Sequence, residues 1–171
     1  MFLIINTAMG KSLEVILAKN NDDFNIKEIE GEYKQAENLL PLIGESLNNW
    51  QKKISDITGI AVVTGPGGFT QHHFQTDNSS NKSISGVKKI KSGAGFTALR
   101  IGVVTANVLA YALNIPVIGL TLNEFKNNRQ LVAQAINKLK NAKSGGVVVP
   151  EYGREPNITV SPKHQNIKTR R

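Results

Sequence analysis

A short glycine-rich motif is the part of this sequence best suited to binding a ligand. Its six residues are Gly65, Pro66, Gly67, Gly68, Phe69 and Thr70. Glycine permits positive φ and close backbone approach, and free backbone N–H groups at the start of a following helix bind anions. The motif matches neither GxxxxGKS/T nor GxGxxG. Two interpretations therefore stay open: a phosphate-binding loop, or a tight turn that binds nothing.

Groups that carry other common chemistries are scarce. The chain has no cysteine, which excludes disulfides, thiolate metal sites and cysteine nucleophiles. Its histidines are His72, His73 and His164, all in polar segments, and no pair of carboxylates stands at metal-ligand spacing. The sequence also has no GxSxG nucleophile motif. We therefore predict no catalytic residue, no metal site and no cofactor.

Positive charge is concentrated in the second part of the chain. The 171 residues carry a net charge of +8. Residues 1–63 hold six Lys or Arg against nine Asp or Glu, whereas residues 64–171 hold fifteen against four. This balance suits an acidic partner, either RNA or an acidic protein face, and it is equally typical of a solvated surface. The candidate RNA contacts are Lys82, Lys88, Lys89, Lys91, Arg170 and Arg171.

Hydropathy patterning favours a cytoplasmic protein without a membrane span. The N-terminal residues lack the basic start, the long apolar middle and the small-residue cleavage site of a secretory signal. Residues 98–120 form the longest apolar stretch, but Arg100, Asn107, Asn114 and Pro116 interrupt it. A buried helix followed by a strand accounts for this stretch better.

Periodicity predicts the element order βββαβαβα. Alternating and β-branched runs mark strands, and apolar spacings of three and four mark helices. The predicted strands are 2–5, 12–18, 24–29, 59–64 and 115–119, and the predicted helices are 36–53, 97–113 and 122–143. This order is that of an α/β, ribonuclease H-like or actin-like subdomain with a mixed five-stranded sheet and helices packed on it. We expect one domain over 1–149 and an extended basic tail over 150–171.

Residues 71–95 interrupt this pattern. They are rich in Ser, Asn, His and Lys and contain few large apolar side chains. The same tripeptide flanks the segment on both sides, since Gly68-Phe69-Thr70 recurs as Gly95-Phe96-Thr97. Because the segment has little to bury, we expect an inserted flexible, basic surface loop rather than a folded functional element.

The predicted helix 97–113 is apolar on two sides. One stripe is Leu99, Gly102, Val103, Ala106, Leu109, Ala110 and Leu113, and the other is Ile101, Val104, Val108, Tyr111 and Ala112. A helix on a small sheet buries one side, so a neighbouring helix or a second protein must cover the other. We assign the partner interface to the first stripe and the apolar side of helix 36–53: Leu39, Leu40, Ile43, Leu47, Leu99, Gly102, Val103, Ala106, Leu109 and Ala110.

Several segments resemble the TsaB (YeaZ) family of glycoprotease-like proteins. AVVTGPGGFT and, after the insertion, ALRIGVVTANVLAYALNIPVIGL resemble the family's TGPGSFTGLRIGVATAKGLA-type signature. QAENLLPLI is similar to its HSExLLPLI helix, with Gln35 in place of His, and Asn6-Thr7-Ala8 matches its DTS. PEYGREPNIT resembles its closing P-x-Y-x-R-x-P segment. The resemblance covers residues 2–124 apart from the insertion, and 150–159, and implies a minimal version without most of the family's second subdomain.

The resemblance implies an actin-like ATPase-superfamily fold and a part in making threonylcarbamoyladenosine at position 37 of tRNAs that read codons beginning with A. In that family the protein is a non-catalytic partner. It heterodimerises with the catalytic subunit TsaD through its two N-terminal helices, here 36–50 and 97–113, and the ATPase TsaE joins the assembly, which meets tRNA as a complex. Asn6 stands where nucleotide-using relatives have an Asp, so the resemblance implies no ATP hydrolysis by this chain.

Two other functions stay open at this level. One is a small actin-like nucleotide-hydrolysing or protease-like enzyme that uses the glycine-rich motif. The other is a tRNA-binding accessory module built from the insertion and the basic C-terminal residues. An uncovered apolar side of helix 97–113 also makes a homodimer an expected state of the isolated chain.

Overall fold

In a computed structural model the described residues are 1–9, 12–31, 34–66 and 95–153, with the backbone of 72–75 and 87–90. The strands are β1 Phe2–Asn6, β2 Ser12–Ala18, β3 Phe24–Glu30, β4 Gly59–Gly65, β5 His72–Gln75, β6 Val87–Ile90 and β7 Val117–Thr121. The helices are α1 Gln35–Asn49, α2 Phe96–Leu113 and α3 Asn128–Lys140. Apart from β5, β6 and two short 3₁₀ turns, this is the predicted order.

Strands β1–β4 and β7 form one mixed sheet in the order β3-β2-β1-β4-β7. β1 and β2 pair antiparallel with Ile4 opposite Ile16, and β3 continues the meander. β1, β4 and β7 are parallel, with Ile4 also opposite Ala61. Antiparallel neighbours join through short turns, whereas the parallel neighbours β4 and β7 need a crossover connection that contains α2. The predicted α/β class and mixed five-stranded sheet are confirmed.

The sheet divides the core into two apolar layers. Successive side chains of a strand point to opposite faces, so neighbouring residues enter different layers. Leu3 and Ile5 pack with α1 and α2, whereas Ile4 packs with α3. All three side chains are fully buried. α1 and α2 therefore share one side of the sheet, and α3 lies on the other.

The predicted start of the third helix is wrong. α3 begins at Asn128 rather than at the predicted position 122. The cause is a cap, because the Asn127 side chain accepts a hydrogen bond from the Gln130 N–H at 2.9 Å. The residues before this cap, Leu122–Glu124, form a separate 3₁₀ turn.

The inserted segment contains regular structure. β5 and β6 pair antiparallel as a separate two-stranded sheet, with His72 opposite Ile90 and Gln75 opposite Val87. The predicted surface loop therefore contains two paired strands, whose backbone groups are satisfied locally by the hairpin. The flexibility of 71–95 stays a prediction. Apart from Gly95, the rest of the predicted loop 71–95 lies outside the described residues.

Among the described residues, α2 is long and apolar enough to cross a membrane by length and composition. Core helices of globular domains pass the same test. On the inner side of α2, Leu99 and Ala106 are fully buried in the two core layers. The core position of these residues therefore accounts for part of the apolar character of α2.

Candidate functional site

The carboxyl ends of parallel strands are where α/β sheets place their chemistry, and here they hold a buried polar cluster. Asn6 ends β1, and Glu14 lies opposite it on β2. The Asn6 amide donates to Glu14 Oε2 at 2.7 Å, and Asn6 Oδ1 accepts from the backbone N–H of Ala8 at 3.1 Å. Asn6 is fully buried and Glu14 nearly so. The amide N–H of Asn6 therefore holds the buried side chain of Glu14, and its oxygen holds the turn after β1.

This cluster is a poor site for a nucleotide with its metal ion. A neutral amide at position 6 adds no negative charge, whereas divalent cations prefer several oxygen ligands that include carboxylates. Among the residues that the structure describes, no group of three or more His, Cys, Asp or Glu is placed to hold a metal ion. Of the glycine-rich motif, Gly65 has φ of +131°, which favours glycine, and Pro66 follows it. The other four members, Gly67, Gly68, Phe69 and Thr70, lie outside the described residues.

α2 approaches this corner of the sheet through Gly102. A Cβ placed on Gly102 would lie 2.3 Å from Thr7 Oγ1 and 3.0 Å from Thr7 Cγ2. Thr7 is fully buried, and its Oγ1 has no hydrogen-bond partner among the residues that the structure describes. The hydroxyl is therefore packed against the bare backbone of α2. A larger residue at position 102 would push the helix away from the end of β1, so Gly102 is a packing residue.

The partner interface assigned from the sequence is wrong for most of its residues. Eight of the ten lie in the core of the domain: Leu39, Ile43, Leu47, Leu99, Gly102, Val103, Ala106 and Ala110. Small residues on this side of α2 let the helix come close to the sheet, which is why this stripe faces inward. Leu109 is half-buried, and Leu40 on α1 is 58% exposed. Leu40 is thus the one predicted interface residue that is freely available to a partner.

The opposite side of α2 is an exposed apolar face. Val104 is 58% exposed, Val108 59% and Tyr111 90%. These three residues recur at spacings of four and three, so they form one stripe along the helix; we call them the outer stripe. None of them is charged, and large apolar side chains with this exposure mark an interaction surface when they are contiguous. The sequence pattern indicates this stripe too, but it does not choose between two apolar sides.

A C-terminal segment packs along one edge of α2; we call residues 147–152 the strap. The side chain of Asn107 donates to the carbonyl of Val148 at 2.8 Å and accepts from the Val148 N–H at 3.0 Å. Farther along, the Glu151 N–H donates to the carbonyl of Thr64 in β4 at 2.7 Å. Asn107 lies three residues after one member of the outer stripe and four before another, so the strap runs beside that stripe.

Tyr152 fixes the end of the strap to the first turns of α2. Its hydroxyl accepts from Arg100 Nε at 2.8 Å, and the guanidinium lies 5.4 Å from the ring centroid in a cation–π contact. The Tyr152 ring also meets Phe96 edge to face at 5.2 Å between centroids. Val147 and Val149 are 78% and 69% exposed, so the strap adds apolar surface beside the outer stripe. Residues 150–153 are the described part of the predicted tail 150–171, and its remaining residues lie outside the described ranges.

The predicted RNA contacts stay predictions. Lys82, Lys91, Arg170 and Arg171 lie outside the described residues, and Lys88 and Lys89 are described by their backbone in β6 alone.

No protein-family model matches the chain, and no curated protein matches it. Solved structures do match. YeaZ from Pseudomonas aeruginosa has a TM-score of 0.50 and 20% sequence identity, over 70% of this chain and 43% of that one. A second structure, described as an uncharacterized protein with similarity to peptidase YeaZ from Pseudomonas aeruginosa, gives the same score and identity over 70% of this chain and 42% of that one. The chain has the YeaZ fold.

The match to YeaZ confirms the actin-like, ribonuclease H-like class that the element order predicts. The chain spans less than half the length of the YeaZ structures that it matches. Within the shared fold, the outer stripe and the strap lie on the side of the sheet that carries α1 and α2.

Proposed function

We propose that this chain is a non-catalytic subunit of the cytoplasmic complex that forms threonylcarbamoyladenosine at position 37 of tRNA, and that the outer stripe binds a TsaD-like catalytic subunit. The observation that supports this function best is the exposed apolar face of α2 on a YeaZ fold. The sequence resemblance of residues 2–124 to the TsaB family supports it independently. A TsaE-like ATPase and tRNA are then met through the assembled complex.

Physical chemistry supports a protein partner for the outer stripe. A Val side chain gains roughly 1.5 kcal/mol when it passes from full exposure to full burial. Val104 and Val108 forgo much of this gain in the isolated chain, and Tyr111 offers a large flat ring with a polar tip, which suits an interface. A stable interface needs about 800 Å² per partner. Leu40 on α1 and the exposed valines of the strap supply further apolar area.

The non-catalytic part of the proposal is supported by the corner at the end of β1. Asn6 is a neutral amide that donates to Glu14 and accepts from the Ala8 N–H, so it does not supply the charge of the Asp that nucleotide-using relatives have. Calorimetric titration with ATP and magnesium addresses the alternative of a nucleotide-hydrolysing enzyme. We expect no heat of binding, and tight binding would favour that alternative.

The test of the proposed function is co-elution with a TsaD-like subunit on size-exclusion chromatography. We expect the unchanged chain to co-elute and Val108→Glu to elute separately, because a carboxylate buried at the interface without a partner costs several kcal/mol. The isolated Val108→Glu chain should stay folded, since position 108 is exposed and Glu is a better helix former than Val.

A matched control carries the same new charge on the other side of the sheet. Gln134→Glu places it on the exposed surface of α3, and we expect this variant to co-elute. Co-elution of Val108→Glu, or separate elution of the unchanged chain, would contradict the proposal. In the absence of the catalytic subunit, the outer stripe is expected to pair two copies of the chain, and Val108→Glu should then be monomeric.

A further inference from the structure

The outer surface of α3 carries a continuous stripe of amide side chains. Its four members follow one another at spacings of four, three and four, and all are exposed: Gln130, Gln134, Asn137 and Asn141. Such spacing keeps them on one side of the helix over about 16 Å. We call them the amide stripe. Primary amides both donate and accept hydrogen bonds. Gln130 Oε1 accepts from the Lys126 N–H at 2.8 Å and the Asn141 amide donates to the carbonyl of Asn137 at 3.4 Å, whereas the side chains of Gln134 and Asn137 form no hydrogen bond with described residues.

Basic side chains surround the amide stripe. Residues 125–150 contain five Lys or Arg and no Asp or Glu. Arg129 forms an ion pair with Asp22 at 2.6 Å, and Lys138 forms one with Glu124 at 2.5 Å. The remaining cations are exposed and form no ion pair with described residues: Lys126, Lys140 and Lys143. Lys126 lies before α3, Lys140 is its last residue and Lys143 follows it, so both ends of the amide stripe carry lysines. Lys140 lines a surface cavity with Asp22 and Asp23, whereas Lys126 and Lys143 do not line it.

We propose that this surface binds the sugar–phosphate backbone of RNA. Lys, Arg, Asn and Gln are the side chains that contact phosphate and sugar, and such contacts carry little sequence information. The free lysines at the ends would neutralise phosphates, while the amides would pair with phosphate oxygens and with 2′-hydroxyl groups, which both donate and accept. A helix surface that is neutral along its middle and cationic at its ends matches a strand of backbone better than it matches one isolated anion.

The contacts of α3 favour RNA over an anionic membrane. A helix that lies on a membrane inserts apolar side chains between the lipids. The large apolar residues of α3 are instead buried against the sheet, including Leu131, Ile136 and Leu139. No exposed large hydrophobic residue of the described chain belongs to α3.

The placement of α3 makes this inference independent of the proposed partner. α3 lies on one side of the sheet, and the outer stripe of α2 lies on the other. RNA and a protein partner therefore need not compete for the same surface. Each proposal can fail without the other, because the RNA test below uses the chain by itself.

The experiment measures the anisotropy of a fluorescently labelled RNA duplex titrated with the full chain at several salt concentrations. The test variant combines Gln134→Glu with Asn137→Asp, which keeps the side-chain shapes and adds two negative charges to the stripe. The control combines Asn48→Asp with Gln51→Glu, which makes the same two chemical changes at exposed positions on the α1 side. Both variants have the same net charge, so any general electrostatic effect is equal.

We expect the test variant to bind RNA at least about tenfold more weakly than the control does. Replacing both Lys140 and Lys143 by Ala should reduce the slope of log affinity against log salt by about one to two, roughly one for each lost phosphate contact. A second amide variant, Gln134→Ala with Asn137→Ala, guards against a folding defect because Ala is the best helix former, and it should also weaken binding.

Three results would overturn the inference. The first is equal RNA affinity of the test and control variants, which would assign binding to other parts of the chain. The second is no binding of RNA by the unchanged chain at low salt. The third is displacement of RNA by polyglutamate, or by vesicles of phosphatidylserine, at equal charge concentration, which would indicate an acidic protein or a membrane as the occupant.

Discussion

Two glycines in helices have opposite packing roles. Gly102 in α2 meets the buried side chain of Thr7, and Thr7 Oγ1 lies 2.3 Å from the position where a Cβ would stand. Around the equivalent position of Gly44 in α1, no heavy atom of the described residues lies within 4 Å apart from the neighbouring residues and backbone of the helix itself. The same substitution should therefore change stability in opposite directions at these two sites.

We predict that Gly102→Ala lowers the free energy of unfolding by about 1–3 kcal/mol, because Thr7 is β-branched and buried, and a Cβ at position 102 forces this side chain or the helix to shift. Gly44→Ala should raise it by about 0.5–1 kcal/mol, since Ala restricts the unfolded chain and meets open space in the helix. Urea unfolding of both variants measures these changes. If Gly102→Ala is as destabilising in a Thr7→Ala background as in the unchanged chain, the proposed contact is not its cause.

Glu124 gives stability a dependence on pH. Burial raises the pKa of this carboxyl, but the Lys138 ammonium and the Thr121 N–H outweigh burial, so its pKa lies below the ordinary value of 4.5. A carboxyl whose pKa is lower in the folded state stabilises the fold above the unfolded-state value, and this stabilisation is lost as the pH falls through the folded-state pKa.

Glu124→Gln should therefore cost stability at neutral pH and cost progressively less as the pH falls below about 4.5. Because the ion pair is partly exposed, we expect a cost of about 0.5–1 kcal/mol at neutral pH. Denaturant midpoints of the variant and the unchanged chain at a series of pH values measure the difference. A difference that stays constant across this range would show that ionisation of Glu124 does not contribute.

At the scale of elements, α2 shows how far the sequence can be interpreted. The order βββαβαβα follows from apolar runs and periodicity: the strands at Ser12–Ala18 and Gly59–Gly65 are mostly apolar runs that are buried along their whole length, and α1 has one apolar side. α2 has two apolar sides, so periodicity places it as a helix without deciding which side faces the sheet. The small residues Gly102, Ala106 and Ala110 contain that information, since they permit the closest approach to the sheet.

Other elements depend on contacts that are distant in the sequence or on local caps. The strap is held by Asn107, whose partner Val148 lies 41 residues later, and no short motif announces such a pair. The start of α3 depends on the Asn127 cap, which competes with an apolar pattern that begins earlier at Leu122. Local rules that compete in this way leave helix ends uncertain by several residues.

We predict that Asn107→Ala releases the strap from α2. The substitution removes two hydrogen bonds to the backbone of Val148, so the free energy of unfolding should fall by about 1–2 kcal/mol. The Val148 amide should also exchange its hydrogen faster, as measured by hydrogen–deuterium exchange. Asn48→Ala, an exposed amide on α1, is the control and should change neither quantity. An unchanged exchange rate of the Val148 amide in Asn107→Ala would contradict the prediction that these hydrogen bonds hold the strap.

At the scale of the whole molecule, the two sides of the sheet present different surfaces. The side of α1 and α2 has an exposed apolar stripe with the strap beside it, and the side of α3 has amides and lysines that form no ion pair with described residues. Apolar area suits a persistent protein partner, whereas a basic polar surface suits a salt-dependent contact with nucleic acid. A subunit that joins a catalytic protein to an RNA substrate has use for both surfaces at once.

The most direct measurement of the central claim is calorimetric titration of this chain into a TsaD-like catalytic subunit at several temperatures. We predict binding with a negative heat-capacity change, the mark of buried apolar surface, and an affinity at least about a hundredfold weaker for Val108→Glu. If the unchanged chain binds and the folded Val108→Glu variant binds with the same affinity, the outer stripe of α2 is not where the partner binds.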